Sequence, residues 1–344
     1  MEFPEALQLH QPAVDQALRE VTSGPAAQGL PLYRMMQYQL GWVDQEGSPE
    51  PYPPPPRLYG ALCLEAARTG IRPELAQFAA AAVELLHHSF MVHEDMQIGD
   101  PHPYDKASVW WVWGPAQAIN VGDGLHAMSR LAVLGLEAKG LTPEHTLAAT
   151  RTLDDAALRF YEGQYMELTF QERIDVTEAQ YLRVAETKQG ALTGAAMALG
   201  AEASGAGHDT MQALQQCGQR LGLAAQIADD IAQVWDTSGA QGATPRVLNK
   251  SKLFPVVYAL EQATLSQKRA LGDAYFKRVM EADDVQRVRG VLEEVGARQY
   301  ANEKAHAIAQ EALDLLQTAG LDAGAHQRWS EVVEFLMEGR PAGV

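Results

Sequence analysis

Residues 83–100 read Val83-Glu84-Leu85-Leu86-His87-His88-Ser89-Phe90-Met91-Val92-His93-Glu94-Asp95-Met96-Gln97-Ile98-Gly99-Asp100. An apolar helix here ends in two adjacent acids, Glu94 and Asp95, with Asp100 just beyond. A second stretch repeats the pattern: Leu221-Gly222-Leu223-Ala224-Ala225-Gln226-Ile227-Ala228-Asp229-Asp230-Ile231-Ala232-Gln233-Val234-Trp235-Asp236. Helical spacing puts Asp229, Gln233 and Asp236 along one face, with Gln226 one turn before the Asp229-Asp230 pair. Paired carboxylates beside a long apolar run are costly to desolvate unless something neutralises them. Mg2+ does so readily, because it takes oxygen ligands and commonly joins a few carboxylates to substrate phosphates. One such pair reads as a solvated helix end. Two of them, each closing a strongly apolar helix, point to a shared cation.

Outward from these stretches the same period continues. Apolar residues recur at helical spacing almost everywhere and strand-like alternation is absent, so the sequence predicts an all-α protein of about a dozen helices. Helices are expected from about Arg72-Pro73 to Met96, Gly114 to Lys139, Pro143 to Phe170, Thr177 to Ala203 and Asp209 to Trp235, with a further set in 250–340. Asp44 to Pro56, with its run Pro51-Tyr52-Pro53-Pro54-Pro55-Pro56, cannot be helical and reads as a stiff connector. Thr237 to Pro245 reads as a second loop. With no repeat and no domain-sized linker, residues 1–344 are expected to form one helical domain.

The chain has 344 residues, 47% of them apolar and 21% charged, enough to build a core and too apolar for a disordered protein. Its net charge of −17 argues against nucleic acid, which is held through Lys and Arg on phosphate, and against an anionic membrane face. The N-terminus lacks the basic start and apolar run of a signal peptide. No stretch is expected to approach the roughly 20 apolar residues that a membrane helix needs. Two cysteines, Cys63 and Cys217, suit a reducing cytoplasm and exclude a disulfide scaffold.

Several ordered segments resemble the trans-prenyl diphosphate synthases, also called polyprenyl synthetases. His87 to Asp100 is similar to that family's first aspartate-rich region. Ser108-Val109-Trp110 and Ala118 to Asp123 resemble the helix after it, Glu162 to Leu168 its Gly-Gln motif, and Thr187 to Leu192 its lysine turn. Gln226 to Asp230 resembles the second aspartate-rich region, and Lys250 to Leu260 the basic segment that follows. The resemblance covers about Leu32 to Gly320. It implies a single-domain antiparallel bundle around a deep apolar cavity, as a homodimer, with two acidic clusters facing each other across the mouth. They would hold two or three Mg2+ ions on an allylic diphosphate. On this resemblance Glu94, Asp95, Asp100, Asp229, Asp230 and Gln233 are candidate metal ligands, and Asp95, Asp229, Asp230 and Lys188 carry the ionisation. Gln226, Lys188, Lys252, Arg57, His87, Phe90 and Gln164 are candidate substrate contacts. Phe90, one turn before Glu94, should limit the isoprenoid tail to C15 or C20.

The sequence also departs from that family. Glu94 replaces the first aspartate, the third acid of the short motif falls on Ile98, and Gln233 stands where a third aspartate is common. On the acceptor side, the family's Gly-Gly-Lys-Arg falls on Pro53 to Pro56, leaving Arg57, and its Arg-Arg-Gly falls on Pro103-Tyr104-Asp105, with Lys106 nearby. A charge-assisted hydrogen bond contributes roughly 1.5–3 kcal/mol, so losing three costs about 4–9 kcal/mol, or roughly 10³- to 10⁶-fold in affinity. This deficit favours an enzyme that ionises an allylic diphosphate without an acceptor, as class I terpene synthases do, ending in cyclisation or hydrolysis. Two other readings stay open: chain elongation through Arg57, Lys106 and His87, and a non-catalytic subunit of a heteromeric synthase. Trp110, Trp111, Trp113 and Trp235 lie near the acidic segments and are expected to be core or interface residues rather than carbocation partners.

Overall fold

The computed structural model describes residues 3–23, 29–51, 54–103, 106–171, 173–237, 244–318 and 321–338. Among them the chain is helical, with one isolated bridge between Val43 and Pro49. The first helices are α1 (Glu5–Gln8), α2 (Gln11–Thr22), α3 (Pro31–Gln39), α4 (Leu58–Ala67), α5 (Gln77–Ile98), α6 (Val109–Trp113) and α7 (Pro115–Leu134). Then come α8 (Pro143–Phe170), α9 (Glu178–Ala185), a π turn over Glu186–Gly190, α10 (Ala191–Ser204) and α11 (His208–Trp235). The chain continues through α12 (Pro245–Leu248), α13 (Phe254–Gln262), α14 (Leu265–Tyr275), α15 (Ala282–Glu294), α16 (Ala297–Thr318) and α17 (Ala323–Met337).

The apolar character of the sequence explains the layering. α4 and α10 are apolar on nearly every side and buried along almost their whole length, as a central helix must be. α10 packs on α4, α8 and α11; α5 packs on α4 and α7; α16 covers the outer side of α11. A smaller core, built from Val247, Leu253, Leu271, Val285 and Leu292 among others, closes the C-terminal side. Cys63 and Cys217 are buried free thiols, pushed up by burial. The stretch 73–98 is, against expectation, long and apolar enough to cross a membrane, but 78% of its most apolar window lies inside the bundle. It is a core helix whose burial comes from its neighbours.

Helix ends position the site. Thr142 caps α8 by accepting from the His145 amide, Pro143 stands at the first helical position, and Glu144 faces the helix dipole. α8 thereby starts and stops where the sequence placed it. α5 ends at Gly99 in the left-handed conformation (φ 73°), just after Glu94 and Asp95. Both acids therefore sit near a helix C-terminus, where the dipole disfavours negative charge and its last turn carries no basic residue. The helix expected from Gly114 to Lys139 ends earlier, at Leu134. The one expected from Thr177 to Ala203 is broken by the π turn. Pro54 to Pro56 are half-buried and link α3 to α4 as a connector. Tyr52, Pro53, Tyr104, Asp105 and 238–243, which entered the sequence argument, lie outside the described residues.

Candidate active site

Lys188 lies in the π turn between α9 and α10, a backbone irregularity frequent at functional sites. It is brought close to α8 because Gly163 has no side chain: a Cβ there would lie 2.5 Å from Lys188 Cγ. Gly222 likewise lets α11 approach the turn, since a Cβ there would meet the Gln189 carbonyl oxygen at 2.3 Å. Lys188 Nζ donates to Glu94 Oε1 at 2.5 Å, to Glu167 Oε2 at 2.5 Å and to Gln164 Oε1 at 2.6 Å. Gln164 in turn donates to Gln97 at 2.7 Å. Glu167 also accepts from Arg246. A chain of alternating charge, Glu94–Lys188–Glu167–Arg246, thus runs from the first acidic segment toward the second.

The charges sustain one another against desolvation. Burial alone would push the Glu167 carboxyl up, but the charges of Lys188 and Arg246 outweigh it and hold the group at about 2. Burial opposes the charge on Lys188, and Glu167 and Glu94 outweigh it, raising the ammonium. Arg246 is raised in the same way, burial being overcome by Glu167, Asp230, Glu94 and Asp229.

The second acidic segment splits into two unlike residues. Asp230 is buried, and its carboxylate accepts from Tyr181 Oη at 2.7 Å, the Phe254 amide at 2.8 Å and Gln226 Nε2 at 2.8 Å. Burial pushes it up to about 6, while Arg246 and the Tyr181 hydroxyl pull it down. Asp229 is half-buried, and no hydrogen-bond donor reaches its carboxylate among the described residues. Asp95 in the first acidic segment is alike: no donor reaches its carboxylate among the described residues, and burial, then Glu94 and Asp100, raise it well above the usual carboxylate range. Asp100 accepts from the His102 amide at 3.1 Å, and burial raises it too. Gln233 is half-buried, and its carbonyl accepts from Thr244 at 3.3 Å.

Among the described residues no three acidic, histidine or cysteine side chains enclose a metal ion by themselves. The donor set nevertheless fits a hard cation. Asp95 is an unpartnered carboxylate pressed by two like charges, Asp229 is another, and Mg2+ typically needs only one or two carboxylates beside the substrate's phosphates. Glu94 and Asp230 fit less well, being engaged by Lys188 and by three protein donors.

The acceptor-side residues also converge, though not as expected. Arg57 is fully buried: it donates to Asp15 at 3.0 Å and to the Leu40 carbonyl at 2.6 Å, with His88 Nε2 at 3.1 Å. It therefore presents no free fork to a diphosphate. Lys106 Nζ lies over the Tyr38 ring at 3.9 Å and donates to the Tyr38 carbonyl at 2.6 Å. Burial, and then the Arg57 charge, lower it. The His87 ring sits 4.4 Å from Tyr59 and 5.6 Å from His88. Arg57 and Lys106 thus meet at the end of α3, on the Leu40 and Tyr38 carbonyls.

Phe90 stacks on Phe160 at 3.7 Å and meets Tyr161 edge-on, filling the space one turn below Glu94. Lys252 donates to the Gln171 and Lys250 carbonyls and is pushed down to about 8 by burial and by Lys250. Trp110 donates to the Asp100 carbonyl, Trp113 packs on Tyr38 and Trp235 donates to Glu293, whereas Trp111 is exposed and lies outside the core. Sequence reasoning missed Glu167 and Arg246 as functional groups. Glu167 was signalled by its place in the Gly-Gln segment; Arg246 follows a loop whose composition said only turn.

Residues 57–295 match the family model described as Polyprenyl synthetase. The chain belongs to that family. Among its relatives, a geranylgeranyl diphosphate synthase of Mycobacterium tuberculosis is 31% identical over 296 residues, covering 84% of this chain and 82% of that protein. A (2E,6E)-farnesyl diphosphate synthase of the same organism is 28% identical over 310 residues, covering 88% and 85%. The crystal structure of a polyprenyl synthetase from Streptomyces coelicolor A3(2) superposes with a TM-score of 0.84 at 28% identity, covering 96% of this chain and 98% of that one. Polyprenyl synthetase membership accounts for the all-α bundle.

Proposed function

We propose that this polyprenyl synthetase elongates prenyl chains, joining isopentenyl diphosphate to an allylic diphosphate to give a farnesyl- or geranylgeranyl-type product. The observation that carries the reading is the placement of Lys106 at the end of α3, beside the buried Arg57, which offers an acceptor diphosphate one cation close to the segment where the sequence had lost its basic residues. The named relatives are elongating synthases, and they support this reading over the acceptor-free chemistry favoured by the missing basic residues. Lys106 and His87 would contact the acceptor; Arg57, buried behind them, holds His88 and the α3 terminus in place. Three cationic contacts are not all available, so acceptor affinity should be low.

On the allylic side, Lys188 and Gln226 line the pocket that would take the diphosphate. Asp95, Asp100 and Asp229 would hold Mg2+. Bound there with the substrate's phosphates, Mg2+ neutralises the departing diphosphate. Asp230 acts through position, since its three donors fix the turn of α11 that presents Asp229. The Phe90–Phe160 stack supports a limit at C15 or C20. Ile119, Leu131 and Leu134 on α7, with Leu147 and Leu158 on α8, are exposed apolar residues that support a homodimer.

The test is product mass from purified protein, Mg2+ and C10 to C20 allylic diphosphates, with and without labelled isopentenyl diphosphate. Incorporation of label into a longer diphosphate is expected. Release of pyrophosphate with an unlabelled hydrocarbon or alcohol, and no incorporation, would replace elongation by the acceptor-free reading.

A further inference from the structure

Arg246 does more than neutralise Glu167. Its Nη2 donates to Glu167, while its Nε is buried without any hydrogen-bond partner. A buried donor left unmade is costly, and one on a guanidinium fork is shaped for the oxygens of a phosphate. Asp230, the other acid in the same lining, already takes three protein donors. Arg246 lines a cavity with two other cations, Lys188 and Lys252, and two acids, Glu167 and Asp230, so the lining carries an excess of positive charge. The cavity is only about 30 Å3, roughly the room for a water molecule. In this state Glu167 pairs with both Arg246 and Lys188 along its wall.

We propose that Arg246 is a diphosphate-binding residue that exchanges Glu167 for the substrate's diphosphate, so that this pocket grips a diphosphate through Lys188 and Arg246 without needing a metal ion. The inference rests on the reading that the pocket takes the allylic diphosphate, but not on what the acceptor does. Glu167 then has a definite part: it is the internal anion that keeps both cations paired until the diphosphate displaces it. Removing it should help binding, opposite to what a purely structural role predicts.

The experiment is calorimetric titration of the full chain with inorganic pyrophosphate in EDTA, alongside melting curves for each variant. Wild type should bind measurably. Arg246→Gln should weaken binding about ten- to a hundredfold, as loss of a charged contact does. Arg246→Lys, with the charge but not the fork, should fall between the two. Glu167→Gln should tighten binding several-fold. If Arg246→Gln does not fold, Arg246→Lys and Glu167→Gln decide. No binding by wild type in EDTA, equal binding by Arg246→Gln, or weakening by Glu167→Gln overturns the proposal. The titration contains no isopentenyl diphosphate, so failure of elongation and failure of this inference are read separately.

Discussion

Around the π turn, Lys188 and Arg246 are neutralised by the carboxylates of Glu94 and Glu167, which line the same pocket or its rim. At the start of α4, Arg57 is neutralised by Asp15 on α2 and also held by a backbone carbonyl and a neutral histidine, all parts of the helical scaffold. The first arrangement can change partners when an anion arrives; the second cannot without loosening the bundle. A basic residue at a motif position is therefore not yet a basic residue available to substrate. What separates the two regions is whether the counter-charges belong to the cavity or to the scaffold.

The largest effect is expected at Lys188. Lys188→Gln leaves Glu94 and Glu167 buried without their shared cation, and breaking a buried pair this way costs about 3–5 kcal/mol. Urea unfolding should show that loss, together with loss of pyrophosphate release from an allylic diphosphate. A loss below about 1 kcal/mol with activity kept would mean that Arg246 alone balances the pocket.

On the scaffold side, Glu84 tests how rigid the corner is. Burial pushes its carboxyl up to about 7, with Asp15 adding to it and Arg57 and the Gly60 amide opposing. His88 lies 3.7 Å away and is kept neutral by burial and by Arg57. The folded state thus binds a proton on Glu84 that the unfolded chain, with an ordinary value of 4.5, has already lost. Stability should fall as pH rises from about 4.5 to about 7 and then level, by about 3 kcal/mol from this group. Glu84→Gln should remove that part of the slope in urea titrations. An unchanged slope would show that water reaches the corner and that Arg57 is freer than its contacts imply.

Phe90→Ala probes the floor shared by both sides. It should cost about 3 kcal/mol, the low end for a buried Phe because Phe160 and Tyr161 can move in, and shift products toward longer chains. An unchanged product length would make Phe90 ordinary core.

Much of this was legible beforehand. α8 could be placed because Thr142, Pro143 and Glu144 announce a helix start, and because its apolar stripe persists to Phe170. The two acidic segments could be paired because each ends a helix that burial forces inward. The π turn was not legible: it arises where Gly163 and Gly222 let α8 and α11 crowd the chain, a tertiary effect without a local period. Asp229 and Asp230 look alike in sequence, and only the packing of Tyr181 and Phe254 makes one structural and the other free. Arg57 misled for the same reason, since Asp15 and Leu40 are distant in sequence.

The most direct test of the account is the acceptor dependence of Lys106→Ala beside wild type, with labelled isopentenyl diphosphate and an allylic partner in Mg2+. Loss of one charged contact, roughly 1.5–3 kcal/mol, should raise the KM for isopentenyl diphosphate about ten- to a hundredfold, with the KM for the allylic diphosphate unchanged. No incorporation by wild type, or a variant with the same acceptor KM, would contradict it.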